Sequence, residues 1–456
     1  MPADPPARRP EELTHRAILF FWAPLAATWL MMAAEGPFIA AVVARLPDPK
    51  IGLAAFGVSI AFAVLIESPV IMLLSAATAL VEDALSYRRM RAFANGLNLF
   101  STGLLLLTLV PPVHTAVFQG ALGLPAEVAD LTYGALWCFL PWPAAIGYRR
   151  FLQGVLIRSG ETRLVAYGTV IRLAGMSASA IALAVFTGLP GASVGAAALS
   201  TGVVIEALAA RWMAREAIAR LLVPAAGPSP GEARHELGYR EIFAFYYPLA
   251  LTSLIGLAIQ PMLTFFMGRA PAPVESLAVF PVVHALGFVF RSIGLSFQDA
   301  AIALLGRGGS GYASIRSFAV RLGIVTTAIM VAIAFTPLAD VWFRIISGLT
   351  EELTAFAIPA ARVLSPIPFL GIWLSLQRGV LMKGRRTRPI TVATAAEVAV
   401  VAVAFAALGW GVGLVGVTAA FVALVVGRSA ANLYLIGPVR RALARGDFGR
   451  RESAGG

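Results

Sequence analysis

The chain reads as an all-α membrane protein of about twelve transmembrane helices arranged in two pseudo-twofold six-helix bundles. Three observations predict this. The composition is 59% hydrophobic and only 13% charged, where a soluble protein carries nearer ~25% charged residues. The apolar residues gather in runs long enough to cross the ~30 Å hydrocarbon core of a bilayer. The second half of the chain also repeats the first.

In order, the runs fall near 17–43, 52–81, 92–113, 128–157, 164–187, 190–214, 241–268, 276–305, 316–343, 352–382, 388–409 and 413–437. The first follows Arg8, Arg9 and Arg16, as a signal peptide would. It is far longer than a ~7–15-residue signal core, so it is read as a retained helix. Pro47 and Pro49 punctuate the chain before the second run, and Pro125 before the fourth. Gly188, Pro190 and Gly191 separate the fifth from the sixth, Pro271 and Pro273 the seventh from the eighth, and Gly409, Gly411 and Gly413 the last two. A short segment near 114–124 is expected on the outer surface. Residues 217–239, with three prolines and several charges, read as a linker. The expected organisation is therefore an N-terminal bundle over 1–216, a cytoplasmic linker over 217–239, a C-terminal bundle over 240–441 and a cytoplasmic tail over 442–456.

The repeat has a definite register. At a shift of 224, Arg16 meets Arg240, Pro24 meets Pro248, Thr28 meets Thr252, Pro37 meets Pro261 and Arg45 meets Arg269. One residue is then gained. At 225, Tyr87 meets Tyr312, Arg91 meets Arg316 and Phe93 meets Phe318, and Gly154–Arg163 (GVLIRSGETR) meets Gly379–Arg388 (GVLMKGRRTR). Six runs per half is an even number, so both halves insert the same way, related by an axis along the membrane normal. Of 36 Lys and Arg, only Arg45, Lys50, Arg269 and Arg344 fall in loops on one side. The positive-inside rule makes that side external and both termini cytoplasmic, in a cell inner membrane. The same rule accounts for the net charge of +12 without nucleic acid.

Gln153–Arg163, QGVLIRSGETR, resembles the signature that follows the fourth helix of MATE exporters. The second copy is looser, with Arg385 where the glycine would stand. FYYPLAL (Phe245–Leu251), FTPLADVWFRIISG and PAARVLSPIP (Pro359–Pro368) are similar to the progressive ankylosis family of anion exporters. The first resemblance implies the twelve-helix MATE-like fold of two bundles, which lipid-linked oligosaccharide flippases share. In that fold the first two helices of each bundle flank a central cavity.

Charges inside a membrane are rare and mark pairing or function. Those read within the runs are Glu35, Glu67, Arg172, Glu206, Arg291, Asp299, Arg362, Glu397 and Arg428, with Arg378 near a cytoplasmic end. In the repeat Glu67 corresponds to Arg291, and Arg172 to Glu397. The implied fold sets Glu67 and Arg291 across the cavity from one another, as a gate or substrate switch. Arg172, Glu206, Glu397 and Arg428 are read as structural charge pairs within bundles. Glu35, two residues before Pro37, is the cation-coupling candidate, at a kink that frees a carbonyl. Arg362 lies among Pro359, Pro366 and Pro368, where a broken helix is expected. With His284, Asp299, Glu67 and Arg291 it completes the substrate-binding candidates. His284 and Gln298 flank Arg291 at seven residues on either side, close to one helix face.

The chain has no Walker A motif, no HExxH and no GxSxG. Its one cysteine and four scattered histidines make no metal site. No enzyme activity and no cofactor are expected beyond H⁺ or Na⁺ as coupling ion. The expectation is a monomeric secondary transporter in the lipid bilayer, exporting a small molecule, an anion on the strength of Arg291 and Arg362, by alternating access. A multidrug cation antiporter and a flippase of a lipid-linked precursor stay open as alternatives.

Overall fold

The computed structural model describes residues 13–223, 237–306, 310–384, 386 and 388–445. Arg385 and most of the expected linker lie outside the described residues. The helices form twelve passes, six in each half. In the first half, α1 (His15–Ala33) and α2 (Glu35–Val43) make the first pass, and α3 (Pro49–Glu67) and α4 (Leu73–Leu80) the second. α5 (Ala84–Thr108) leads into α6 (Pro111–His114) and a π-helical turn, Thr115–Ala121. α7 (Ala126–Cys138) and α8 (Trp142–Arg158) form the fourth pass, α9 (Thr162–Phe186) the fifth and α10 (Gly191–Met213) the sixth, followed by the short α11 (Arg215–Leu222).

The second half opens with α12 (Tyr239–Leu257) and α13 (Ile259–Met267), then α14 (Pro273–Leu304). α15 (Tyr312–Phe335) runs into α16 (Leu338–Asp340) and a second π-helical turn, Val341–Ile346. α17 (Glu351–Leu364) and α18 (Ile367–Lys383) follow, then α19 (Arg388–Phe405) with a third π-helical turn, Ala406–Gly411, and α20 (Gly416–Arg445). Among the described residues nine helices are long and apolar enough to cross a membrane, or eleven when two bent pairs are each taken as one. The remaining pass is divided between α7 and α8, of 13 and 17 residues, neither long enough alone, and α8 carries Arg149, Arg150 and Gln153.

The breaks have chemical causes. Pro37 and Pro261 lack the N–H that would bond the carbonyl four residues earlier, and the chain breaks at Ala34 and Ala258. Pro366 ends α17, and α18 departs at 40°. The bend after α5 is 78°, and it turns 111–121 across the bundle end, where a surface segment was expected. The halves differ at one point. α3 stops at Glu67 and five turn residues, 68–72 with Pro69 among them, precede α4, whereas α14 runs unbroken over 32 residues. Ile293 stands where Pro69 would fall in the repeat.

Two faces of the bundle are distinguished below: the proximal face, where α1 begins and α20 ends, and the distal face opposite. The proximal parts of α1 and α12 cross to the other half. Trp22 Nε1 donates to Ser296 Oγ at 2.9 Å and its ring meets Phe318 edge-on. In return, the Tyr246 hydroxyl donates to the carbonyl of Pro69, and its ring packs on Phe93. That bond satisfies a carbonyl exposed by the break after α3.

α14 is the central element. It packs on α18, α17 and α20 of its own half and on α1, α2 and α3 of the other. Gly57 lets α3 close on it: a Cβ there would lie 3.1 Å from Pro281 Cγ and 3.2 Å from the carbonyl of Leu277. Gly36 does the same for α2, against Ala285. These contacts sit in the distal part of α14. Among the described residues α4, the proximal continuation of the α3 pass, has no comparable contact with it. The α3 pass is thus joined to α14 distally and stands apart from it proximally, where α1 and α12 bridge the halves instead.

Candidate functional site

The charged residues inside the bundle form two separate clusters, one per half. In the first half, Glu206 on α10 is fully buried. Arg149 Nη1 on α8 lies 2.6 Å from its Oε2, and Gln153 Nε2, one turn on, donates to Oε1 at 3.1 Å. Arg172 Nε on α9 approaches Glu206 at 3.4 Å, and its Nη2 is ion-paired with Glu35 on α2. Glu67, the last residue of α3, accepts a hydrogen bond from the Trp142 indole of α8. Arg150 lies within electrostatic range of both Glu67 and Glu206. Three arginines thus face three glutamates, and the cluster is formally neutral.

The second half is different. Arg428 Nε on α20 lies 2.9 Å from Glu397 Oε1 on α19, an ion pair whose angle falls outside hydrogen-bond geometry. Arg378 Nη2 on α18 donates to Thr394 Oγ1 at 3.1 Å. Arg291, mid-length on α14, is in electrostatic range of Arg428, Glu397 and Arg378. Among the described residues it has no hydrogen-bond or ion-pair partner. It keeps solvent-accessible surface although its neighbours Phe290 and Ser292 are buried and α14 is walled by six other helices. Its guanidinium therefore faces internal space rather than packed protein. Here three arginines meet one glutamate, which leaves two positive charges uncompensated.

His284, two turns distal to Arg291, stacks near Phe280 and lies 3.1 Å from Gln260 Nε2. It shares the field of Arg291. So the structure brings His284 and Arg291 together with Arg378, Glu397 and Arg428. It does not bring in the other candidates. Asp299, accessible toward the proximal end of α14, is hydrogen-bonded to Trp29 of α1. Gln298 reaches Met382 Sδ at 3.6 Å. Arg362 extends along α15, its Nε donating to the carbonyl of Ala334 at 3.2 Å and its guanidinium lying over Phe335.

Two of the candidates have other partners here. Glu67 and Arg291 are not paired in this structure. Each is held in the field of its own half, because α3 ends at Glu67 and turns that side chain toward α8 while α14 continues past. Glu35, the cation-coupling candidate, is ion-paired with Arg172. The break at Ala34 lays α2 against α9 and α10, and Arg172 meets it there.

The sequence reading also missed Trp142, Arg149, Arg150 and Gln153. Arg149 and Arg150 stand near the proximal end of their run, beside the basic loop at Arg158 and Arg163. Trp142, Arg149 and Gln153 are spaced seven and four apart, which is one face of a helix, and that spacing was the available signal. Gly154 belongs to the same crossing. A Cβ there would lie 2.5 Å from the carbonyl of Leu74 and 2.6 Å from Ala77 Cβ, so the glycine of the QGVLIR segment is what lets α8 close on α4.

The fold, two repeats of six helical passes, is similar to that of solved MATE and MurJ structures. An inward-facing multidrug resistance MATE family transporter superposes with a TM-score of 0.67 at 15% identity, over 92% of this chain and 95% of that one. The lipid II flippase MurJ in an inward closed conformation gives 0.70 at 13% identity, over 94% and 90%. A MOP superfamily transporter from Pyrococcus furiosus, described by a reversed polarity of its binding pocket that suggests a different function, gives 0.57 at 14%, over 95% and 96%. No family model matches the chain, and no curated protein matches it.

Proposed function

We propose that this chain is a secondary transporter that moves a small anion across the membrane by alternating access between its halves. The observation that carries the reading is Arg291: accessible, without an acceptor of its own, beside two further arginines and a single glutamate. An arginine at bilayer depth costs at least ~2.5–3.5 kcal/mol unless it faces water or a partner. Two more positive charges in range raise that cost. A bound anion lowers it, and the accessible guanidinium offers a bidentate fork to carboxylate or phosphate oxygens.

A cationic drug finds no comparable seat. Glu35 and Glu206 are taken by Arg172 and Arg149, Glu67 by Trp142, Glu397 by Arg428 and Asp299 by Trp29. With the basic loops read as cytoplasmic, the side on which α4 stands apart from α14 faces the cell interior in this reading, as an exporter awaiting substrate would. The neutral cluster of the first half is the coupling element. Its arginines leave no set of free oxygens for Na⁺, and a proton on Glu67 is the exchange that fits a carboxylate held only by an indole.

The test is uptake into inside-out proteoliposomes under an imposed pH gradient. The probes are labelled phosphate, pyrophosphate and citrate, with ethidium as the cationic comparison. The reading expects gradient-dependent uptake of at least one anion and none of ethidium. Ethidium uptake with no anion flux overturns it.

A further inference from the structure

The distal face is closed by a device that the repeat has built twice. Arg45, just past α2, donates from Nη2 to the carbonyls of Ile345 and Ile346 at 2.5 and 2.8 Å. Those carbonyls end the second π-helical turn, in the other half. Arg269, just past α13, donates from Nη2 to the carbonyl of Gly120 at 3.2 Å. That carbonyl ends the first π-helical turn, again in the opposite half. Arg45 and Arg269 are repeat equivalents at 224, and Gly120 and Ile345 at 225. The bonds are therefore reciprocal.

The receiving ends match atom by atom. Leu122 N bonds Val117 O and Leu124 N bonds Phe118 O; at 225, Ser347 N bonds Trp342 O and Leu349 N bonds Phe343 O. Each turn then closes on a left-handed glycine, Gly123 at φ 68 and Gly348 at φ 74. Each glycine lies against the visiting arginine. A Cβ on Gly348 would come within 2.8 Å of Arg45 Nη1, and one on Gly123 within 3.7 Å of the Arg269 guanidinium. Each arginine is also steadied on its own side: Arg45 Nη1 donates to the carbonyl of Ala41 at 2.7 Å, and Arg269 lies over the Phe265 ring at 4.3 Å.

We propose that Arg45 and Arg269 are the paired latch of the distal gate, holding the two halves shut on that face and releasing together when the halves rock open. A π-helical turn leaves carbonyls at its end without partners inside the turn. A guanidinium with several donors in one plane satisfies them from across the interface. Rocking the halves apart on this face must break all three interhalf bonds, while water takes over both ends. The latch is thus strong enough to bias the resting state and weak enough to open. Lys50, which bridges Glu275 at 2.6 Å and Glu352 at 2.9 Å, adds a link of its own. Its repeat equivalent is Val274, so it has no twin.

The proposal is tested by distance, independently of substrate. On a Cys138→Ala background, spin labels go on Val110 and Leu338, which are exposed on the distal face of opposite halves. Pulsed electron-electron resonance reads the populations. The unaltered latch gives mainly the short distance. Arg45→Ala or Arg269→Ala each shifts the closed-to-open ratio by about fivefold, and the double variant by about 25-fold if the two act independently. Arg344→Ala, which removes a distal arginine paired within its own half to Glu351 at 3.9 Å, leaves the distribution unchanged. Should the alanine pair fail to fold, Arg45→Gln with Arg269→Gln is read by the same criterion. A double variant with the unaltered distribution overturns the latch. So does a shift of equal size from Arg344→Ala, and so does loss of folding in both the alanine and the glutamine pair.

Discussion

Replacing Arg291 with glutamine separates a ligand-binding arginine from a structural one. Its guanidinium bonds no protein acceptor among the described residues and faces Arg378 and Arg428 as like charges. Removing it therefore costs the fold little, within ~1 kcal/mol in either direction. The effect on a bound anion is larger. A charged hydrogen bond contributes ~1.5–3 kcal/mol, or ~10- to 150-fold in affinity at 1.4 kcal/mol per decade. Coulomb's law at ~4 Å and an effective dielectric of ~20 gives ~4 kcal/mol as a ceiling. The companion change is Arg149→Gln. Arg149 is buried, and its loss leaves the fully buried Glu206 with Gln153 and the longer contact from Arg172. Breaking such a pair costs ~3–5 kcal/mol. The assay is two measurements on each variant: monodisperse yield with thermal unfolding in detergent, and KM for the transported anion in proteoliposomes. Arg291→Gln should unfold as the unchanged protein does and raise KM by ten-fold or more. Arg149→Gln should lose yield. The reasoning fails if Arg291→Gln transports with unchanged KM, or if it loses folded yield as Arg149→Gln does.

Two further outcomes follow from the first-half cluster. Glu206→Ala strands Arg149 in a buried site, leaving Arg172 with Glu35, and should lower stability by ~3–5 kcal/mol, whereas Glu206→Gln, which keeps an acceptor for Gln153, should lose less; thermal unfolding of both checks the order. Gly154→Ala forces a methyl to 2.5 Å from the Leu74 carbonyl and should destabilise by ~1–3 kcal/mol, while alanine at Gly188, which has open space around it, should not.

Much of the fold was legible because membrane physics writes it in long apolar runs, and because a duplication can be read by sliding the chain against itself. The two π-helical turns keep one bond register at the repeat shift of 225, a match that no hydropathy pattern contains. The site was less legible. Arg291 stood out as a lone arginine in an apolar run. Its partnering could not be read from the repeat, because equivalence across an axis does not say where a helix stops. Glu67 ends α3, and the break at Pro69 redirects it to Trp142. Arg149 and Arg150 were hidden by their nearness to a basic loop: position along the chain suggested surface, while the helix turned Arg149 inward. Arg362 shows the converse. Its prolines predicted a bend correctly, but the length of an arginine side chain let it follow α15 toward the distal end instead of lining internal space.

The unequal charge of the two halves has an electrical consequence. A neutral cluster feels no net pull from the membrane potential, but a cluster with two unmatched positive charges does. Each elementary charge moved through the full drop exchanges ~2.3 kcal/mol per 100 mV. When the second half is empty, an interior-negative voltage draws its arginines toward the cytoplasmic side. When a divalent anion sits among them, that pull vanishes. Under the proposed anion transport, voltage then acts on the return of the empty carrier and not on the loaded step. Charge-displacement currents on a supported membrane would record this as a transient that shrinks as anion is added.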